Sequence, residues 1–150
     1  MVENNAIKII LMFIRSVNRS EPHLKVLRIV LTILTNLTLW PDTADKVFYA
    51  ENAVDVFVEL LQNNRENYDL FSATAKLLIA LCQTPEHCKS VNGMKKSVER
   101  IRGFSDMLSN KIKIHTLSSS RAVKGGEALD HLNKQLVLIK QLMQLLRAHQ

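Results

Sequence analysis

The chain repeats part of its own sequence with an offset of 44 residues. The matched positions are Leu34–Leu37 with Leu78–Leu81, Pro41 with Pro85, Asp42 with Glu86, and Val47 with Val91. Each copy reads as an apolar helix, a break made by proline and an acidic residue, a short helix, a turn and a longer helix. Such a unit cannot bury its apolar face alone, so we expect two stacked units at about residues 20–64 and 66–117.

Hydrophobic periodicity predicts the first helix from about Ala6 to Asn18. From Leu24 to Leu39 apolar residues occur on almost every side, which predicts an interior helix with one narrow polar stripe that reaches solvent or a partner. After the break at Pro41, we expect Asp42 or Thr43 to cap the next helix.

In the second half of the chain, the spacing slips at Glu51–Asn52, which predicts a tight turn between a short helix and a longer one. Further helices are predicted over residues 67–83, over 86–92, and from Met94 to beyond Ile112. A loop at 118–126 then precedes a long C-terminal helix at 127–149.

Composition agrees with one helical domain. Of 150 residues, 47% are hydrophobic and 23% charged, and four Gly and three Pro are too few for a turn-rich β fold. No segment reads as a signal peptide or a membrane span. Because an apolar helical pattern begins almost at once, we expect a segment of a longer protein with an added Met1.

The stretch from Leu34 to Leu61 resembles an armadillo repeat, and a period near 44 suits armadillo and HEAT arrays. The resemblance implies an all-α, armadillo/HEAT-like helical-repeat solenoid fragment with a long C-terminal helix. In that family an Asn of the interior helix faces the concave groove, and Asn36 matches it, whereas Ala80 stands at the equivalent place in the second unit. The predicted concave-face residues are Lys25, Arg28, Thr32 and Asn36.

Three segments together resemble the C-terminal end of the abnormal spindle family, which includes the microcephaly-associated homologues: Phe13–Thr38, Glu51–Glu66 and Glu99–Thr116. This resemblance implies a non-catalytic protein-interaction domain of a spindle-pole, microtubule-associated protein. It also implies spindle or centrosomal partners, a role in spindle-pole focusing, and a place in the cytoplasm on the cytoskeleton, at the spindle pole and centrosome, with the nucleus as an interphase site. Family members bind calmodulin through IQ motifs upstream, and this chain has no such motif.

Basic charge is concentrated in one segment. Residues 89–124 carry nine Lys or Arg and two Asp or Glu, a net charge of +7. We expect the helix within it to contact an acidic partner such as tubulin through Lys95, Lys96, Arg100, Arg102, Lys111 and Lys113. The alternatives are a charge-driven nucleic-acid- or acidic-lipid-binding domain, a solvated helix face, and a structural cap of a longer helical array.

The sequence gives no sign of catalysis or of a cofactor. It lacks the motifs of serine hydrolases, P-loop enzymes and zinc proteases, and its histidines have no partner at catalytic spacing. Cys82, His87 and Cys88 lie close together, but a structural zinc needs four ligands, so we expect free thiols and no metal.

The last helix carries an apolar row spaced alternately by three and four residues: Leu129, Leu132, Leu136, Ile139, Met143 and Leu146. This row predicts either a helix that covers the last repeat or a homodimer. Trp40, beside the proline break, is predicted to pack into a helix corner, with a partner anchor as the alternative.

Overall fold

The computed structural model describes residues 4–18, 20–118 and 126–150, and these are helical with no strand. The helices are α1 (Asn4–Ser16), α2 (Glu21–Leu37), α3 (Pro41–Phe48), α4 (Ala53–Asn63), α5 (Tyr68–Leu81), α6 (Pro85–Gly93), α7 (Lys95–Ser118) and α8 (Gly126–Ala148). The all-α class predicted from the sequence is confirmed. Most of the predicted loop at 118–126 lies outside the described residues.

The helices form two rows. In one row α5 lies between α2 and α8, and in the other α4 lies between α1 and α7. The helix lengths follow a similar order twice along the chain. The short helix α3 is followed by the longer helices α4 and α5, and the short helix α6 is followed by the long helices α7 and α8. The unit predicted at about 20–64 corresponds to α2–α3–α4, and the unit predicted at about 66–117 corresponds to α5–α6–α7. Each predicted unit therefore starts with the long helix that precedes the short one.

The turn between α3 and α4 follows the prediction. Asn52 adopts the left-handed conformation, with φ of 58° and ψ of 25°. Asparagine tolerates this conformation better than most residues, which explains why the chain can turn there without glycine. At the start of α5 the Asn67 side chain accepts a hydrogen bond from the Leu70 backbone N–H, a regular N-cap.

The start of α3 differs from the prediction. Trp40, rather than Asp42 or Thr43, is the N-cap residue, and Pro41 occupies the first helical position. The Thr43 hydroxyl donates to the backbone carbonyls of Leu37 and Trp40. These bonds join the end of α2 to the start of α3 and set the position of the Trp40 backbone.

Buried apolar side chains from every helix form one core. Helices α4 and α5 supply much of it, and Phe57 and Phe71 are its largest fully buried side chains. The edge of the Phe71 ring meets Phe104 of α7 at a centroid distance of 5.9 Å. The two central helices therefore hold the neighbouring ones together, and α1 and α2 at one end have fewer neighbours.

A buried histidine joins the short helices of the two copies. His87 in α6 stacks on Phe48 of α3, with the ring centroids 4.1 Å apart. Its Nε2 donates to Asp45 Oδ1 at 2.7 Å, and its Nδ1 lies 2.8 Å from the Leu81 carbonyl oxygen. Two further bonds connect separate helices: Ser97 Oγ donates to Asp55 Oδ1 at 2.9 Å, and Asn92 Nδ2 donates to the Leu146 carbonyl at 2.8 Å.

Helix α8 packs against α5 and α7 with the apolar row that the sequence singled out. Ile139 and Leu146 are in the core, Leu132, Leu136 and Met143 pack against it, and Leu129 is half-buried. This packing is what a covering helix requires, and the homodimer stays a prediction, since Leu129, Leu132, Leu136 and Met143 keep part of their surface. In the part of the chain that the structure describes, no helix has the length and apolar character needed to cross a bilayer.

Candidate interaction surfaces

Helix α2 carries the predicted concave-face residues on its outer side. Lys25, Arg28, Thr32 and Asn36 are all exposed. Arg28 reaches across to α5, where its guanidinium lies 3.5 Å from Asp69 Oδ2. The Thr32 hydroxyl donates to the Arg28 carbonyl within the helix. The structure thus brings the four residues to one surface. Among the described residues, the side chains of Lys25 and Asn36 have no hydrogen-bond or ion-pair partner there.

The same helix exposes an apolar row that the sequence analysis assigned to the interior. Val26, Ile29 and Ile33 are exposed, Ile29 to 60%, although only a polar stripe was predicted to reach solvent. The prediction is wrong because α2 has α5 on one side and no described helix of its own row on the other. We call Val26, Ile29 and Ile33 the α2 row.

The corner between α2 and α3 also exposes apolar side chains. Trp40 is 60% exposed, and its neighbour Leu39 is more exposed still. The predicted packing of Trp40 into the corner is therefore wrong, and the role of a partner anchor stays a prediction. Exposed tryptophan is characteristic of the anchor positions of protein interfaces, because it offers a large contact area with few rotatable bonds.

The basic residues predicted on α7 are mostly on the surface but do not form one uniform patch. Lys95, Lys96, Arg100, Arg102 and Lys113 are exposed. Two exposed acidic residues of the same helix, Glu99 and Asp106, share their helical face by spacing and dilute its charge.

Lys111, the sixth predicted residue, is committed to an ion pair. Its Nζ donates to Glu66 Oε1 at 2.6 Å. That hydrogen bond is the largest of the effects that lower the pKa of Glu66. Lys111 therefore joins α7 to the segment before α5, and the positive surface of α7 is carried by the other five residues.

The residues considered for a metal site are engaged otherwise. Both ring nitrogens of His87 face oxygen acceptors, and the Cys88 thiol donates to the Cys82 carbonyl at 2.8 Å. Burial raises the pKa of both thiols, which keeps them protonated and uncharged near neutral pH. Among the described residues no three His, Cys, Asp or Glu side chains come together as a metal would require.

The chain was compared with known families, curated proteins and solved structures. The abnormal spindle-like microcephaly-associated protein of Homo sapiens is 32% identical in an alignment 125 residues long that covers 77% of this chain. Its homologs from Pongo pygmaeus and Saimiri boliviensis boliviensis are 32% and 33% identical over the same length. The chain spans 4% of the length of each of these curated relatives.

No family model matches the chain, and no solved structure matches it. The kinship therefore rests on the curated relatives. The chain belongs to the family of abnormal spindle-like microcephaly-associated proteins.

Proposed function

We propose that this chain is a non-catalytic protein-interaction domain of a spindle-pole, microtubule-associated protein, built as an armadillo/HEAT-like array of helices. The exposed α2 row beside Lys25 and Arg28 is the observation that carries this proposal. Three large apolar side chains at helical spacing, together with Lys25 and Arg28, offer the apolar centre and basic rim of a protein interface. The spindle association comes from the family, whose name refers to the spindle.

The occupant that fits the α2 row is an amphipathic helix with an acidic flank. Its apolar side would lie on Val26, Ile29 and Ile33, because a helix presents side chains at the matching i, i+3, i+7 spacing. Its acidic flank would meet Lys25 and Arg28. A spindle or centrosomal protein would supply this helix, and spindle-pole focusing would be the role that the contact serves.

The test is recruitment of the fluorescently tagged chain in mitotic cells. We expect enrichment at the spindle poles, and we expect the double variant Ile29→Asp/Ile33→Asp to lose it, because a buried carboxylate in the contact has no partner. Val137→Asp is the matched control, since Val137 is an exposed apolar residue on α8. Equal enrichment of the wild type and the α2 variant would refute docking through α2, and a diffuse wild type would contradict the spindle role.

Direct microtubule binding is a separate question, since it depends on α7. The isolated chain should pellet with microtubules at low salt and release as salt rises, because the contact is mainly electrostatic. Reversing Lys95, Lys96, Arg100 and Arg102 to Glu should abolish pelleting. If the variant pellets as well as the wild type, α7 is not the microtubule contact.

If the chain binds anionic vesicles or DNA as strongly as microtubules, the alternative of a general anion-binding domain is preferred.

A structural role has support from the same α2 row. The curated relatives are far longer than this chain, so a further helical unit of one polypeptide could cover Val26, Ile29 and Ile33 as α8 covers α5. This role predicts that the isolated chain stays diffuse in mitotic cells and that Ile29→Asp/Ile33→Asp changes nothing there.

A further inference from the structure

The internal repeat identifies the surface of α5 that corresponds to the α2 row. Helices α2 and α5 end at Leu37 and Leu81, two positions that the repeat matches, and each is followed by a proline that starts a short helix. At the same offset of 44 residues, the α2 row falls on three residues of α5, which we call the α5 row: Leu70, Ala73 and Leu77. The two leucines of the α5 row are buried and its alanine is partly buried, whereas the whole α2 row is exposed.

The α5 row is covered by α2. Tyr68 at the start of α5 stacks on His131 of α8, with the ring centroids 3.9 Å apart, and so marks the α8 side of the helix. At about 100° per residue, the α5 row lies on the opposite side from Tyr68. Because α5 lies between α2 and α8, that opposite side faces α2. The α2 row is therefore the counterpart of a surface on which a helix already lies.

One charged position differs between the two surfaces. Asp69 stands beside the α5 row, and the guanidinium of Arg28 on the covering helix lies 3.5 Å from its carboxylate. Lys25 has the equivalent position beside the α2 row, so the charge there is reversed. A helix that lay on α2 as α2 lies on α5 would place its own counterpart of Arg28 near Lys25. A carboxylate is favoured at that place, and a second copy of this chain is disfavoured because it would bring Arg28 to Lys25.

The other charges of α2 do not change this preference. Arg28 faces Asp69 and is therefore turned toward α5. Glu21, the acidic residue of α2, is exposed one turn before Lys25. By helical spacing Glu21 lies on the Arg28 side of Lys25, away from the α2 row. Lys25 is thus the charged residue of α2 that is next to the row.

We propose that the α2 row binds a helix of a partner protein that lies on α2 as α2 lies on α5, with a carboxylate at Lys25. The proposal rests on the docking through α2 proposed above, and it adds how the partner helix lies and where its carboxylate is. On α2 itself, Leu24 and Leu31 stand four residues before and three residues after Arg28, on the same side of the helix. The partner helix therefore carries an Asp or Glu with large apolar residues four before it and three after it.

The test compares two designed peptides of the length of α2, 17 residues, each held helical by a hydrocarbon staple. Both keep Leu24, Leu31 and Thr35 of α2 and have alanine, glutamine or lysine elsewhere, and they carry either Glu or Arg in place of Arg28. The Glu peptide, titrated into the methyl-labelled chain and followed by NMR, should shift the methyl resonances of the α2 row. It should bind about fivefold more tightly than the Arg peptide at low salt. If neither peptide shifts these resonances at millimolar concentration, or if the Arg peptide binds as tightly, the proposal is wrong.

A charge reversal on the chain tests the position of the carboxylate. Lys25→Glu should reverse the preference, so that the Arg peptide binds about fivefold more tightly than the Glu peptide. Lys140→Glu is the matched control, because Lys140 is an exposed lysine of α8, and it should leave the preference unchanged. Lys25 is exposed as well, so neither variant should prevent folding. If the Lys25→Glu chain keeps the preference of the wild type, the carboxylate does not lie at Lys25 and the proposal is overturned.

The outcomes separate this inference from docking in general. Loss of spindle recruitment in Ile29→Asp/Ile33→Asp without any charge preference of the peptides would keep the docking and overturn the arrangement assigned to the partner helix. Methyl resonances of the α2 row that shift with the concentration of the chain alone would assign the surface to a second copy. The expected charge preference in a chain that stays diffuse in mitotic cells would assign the surface to a further helical unit of the same polypeptide, and a partner protein as the source of the helix would be wrong.

Discussion

Helices α2 and α5 have nearly the same sequence character and different surroundings. The internal repeat aligns them, and both are apolar on most sides, although only α2 was predicted to be an interior helix. In the structure α5 lies between α2 and α8, and most of its side chains are buried. In α2 the fully buried side chains are Leu27, Leu31 and Leu34, and the α2 row is exposed.

The difference shows what a repeat pattern can and cannot determine. Periodicity reports which sides of a helix are apolar, because apolar sides are the ones that a neighbour can cover. It does not report whether the neighbour is present. Where the neighbour is present, as for α5, the apolar side becomes core. Where it is missing, as for α2, the same pattern becomes a surface that a partner can cover.

The first prediction tests this comparison with one residue type on each helix. Ile79 of α5 is 8% exposed, so Ile79→Ala should lower the free energy of unfolding by about 2–4 kcal/mol through lost burial and a cavity. Ile29→Ala on α2 should change it by less than about 0.5 kcal/mol. Urea unfolding monitored by circular dichroism measures both. Similar losses for the two variants would mean that the α2 row is packed in solution.

The second prediction concerns the link between the two copies. His87→Ala removes a ring stacked on Phe48 and the hydrogen bond to Asp45, so we expect a loss of about 2–3 kcal/mol in the free energy of unfolding. Asp45→Asn keeps the shape and an oxygen acceptor, so its cost should be about 1 kcal/mol. If His87→Ala costs no more than Asp45→Asn, the stacked ring does not stabilise the link.

Much of the fold could be predicted because its signals are local. The helix spacing, the proline breaks and the left-handed turn at Asn52 each depend on a few adjacent residues, and the structure has each of them. The exposure of Trp40 could not be read in this way, because a proline break fixes where a helix starts and not what lies against the preceding side chain.

The candidate sites were predicted less well than the fold. The polar side of α2 was found because Lys25 and Arg28 interrupt an apolar pattern, and the α2 row was missed because it continues that pattern. Surfaces formed by more than one helix gave no signal, since residues such as Tyr68 and His131 are far apart in the sequence and stack only when α5 and α8 pack. Sites of this kind depend on tertiary contacts.

The third prediction compares the ion pairs on the two sides of α5. Lys111 and Glu66 are 2.6 Å apart, and Lys111 is partly buried, whereas Arg28 and Asp69 are 3.5 Å apart and both exposed. Double-mutant cycles should give a coupling of about 0.5–1 kcal/mol for the first pair and about 0.2 kcal/mol for the second. Equal couplings would show that the difference in distance and burial has no energetic effect.

The Glu66 pair should also depend on pH. Because Lys111 lowers the pKa of Glu66 in the folded state, the stabilisation is complete above the ordinary pKa of 4.5. It is lost as the pH falls through the lowered value. Unfolding of Glu66→Gln and of the wild type at several pH values should therefore converge in acid, and a constant difference across the series would contradict the assignment.

The smallest expected effect on stability is at the corner where the α2 row ends. Trp40 is the single tryptophan of the chain and is exposed, so Trp40→Ala should change the free energy of unfolding by less than about 0.5 kcal/mol. Its fluorescence should be nearly as accessible to iodide in the folded protein as in urea. Strong protection of the indole in the isolated chain would mean that the corner is packed.

If a partner helix covers the α2 row, iodide quenching of Trp40 should fall when the partner binds, and Ile29→Asp/Ile33→Asp should prevent that fall. The same residue therefore reports both that the surface is open in the free chain and that it closes in a complex.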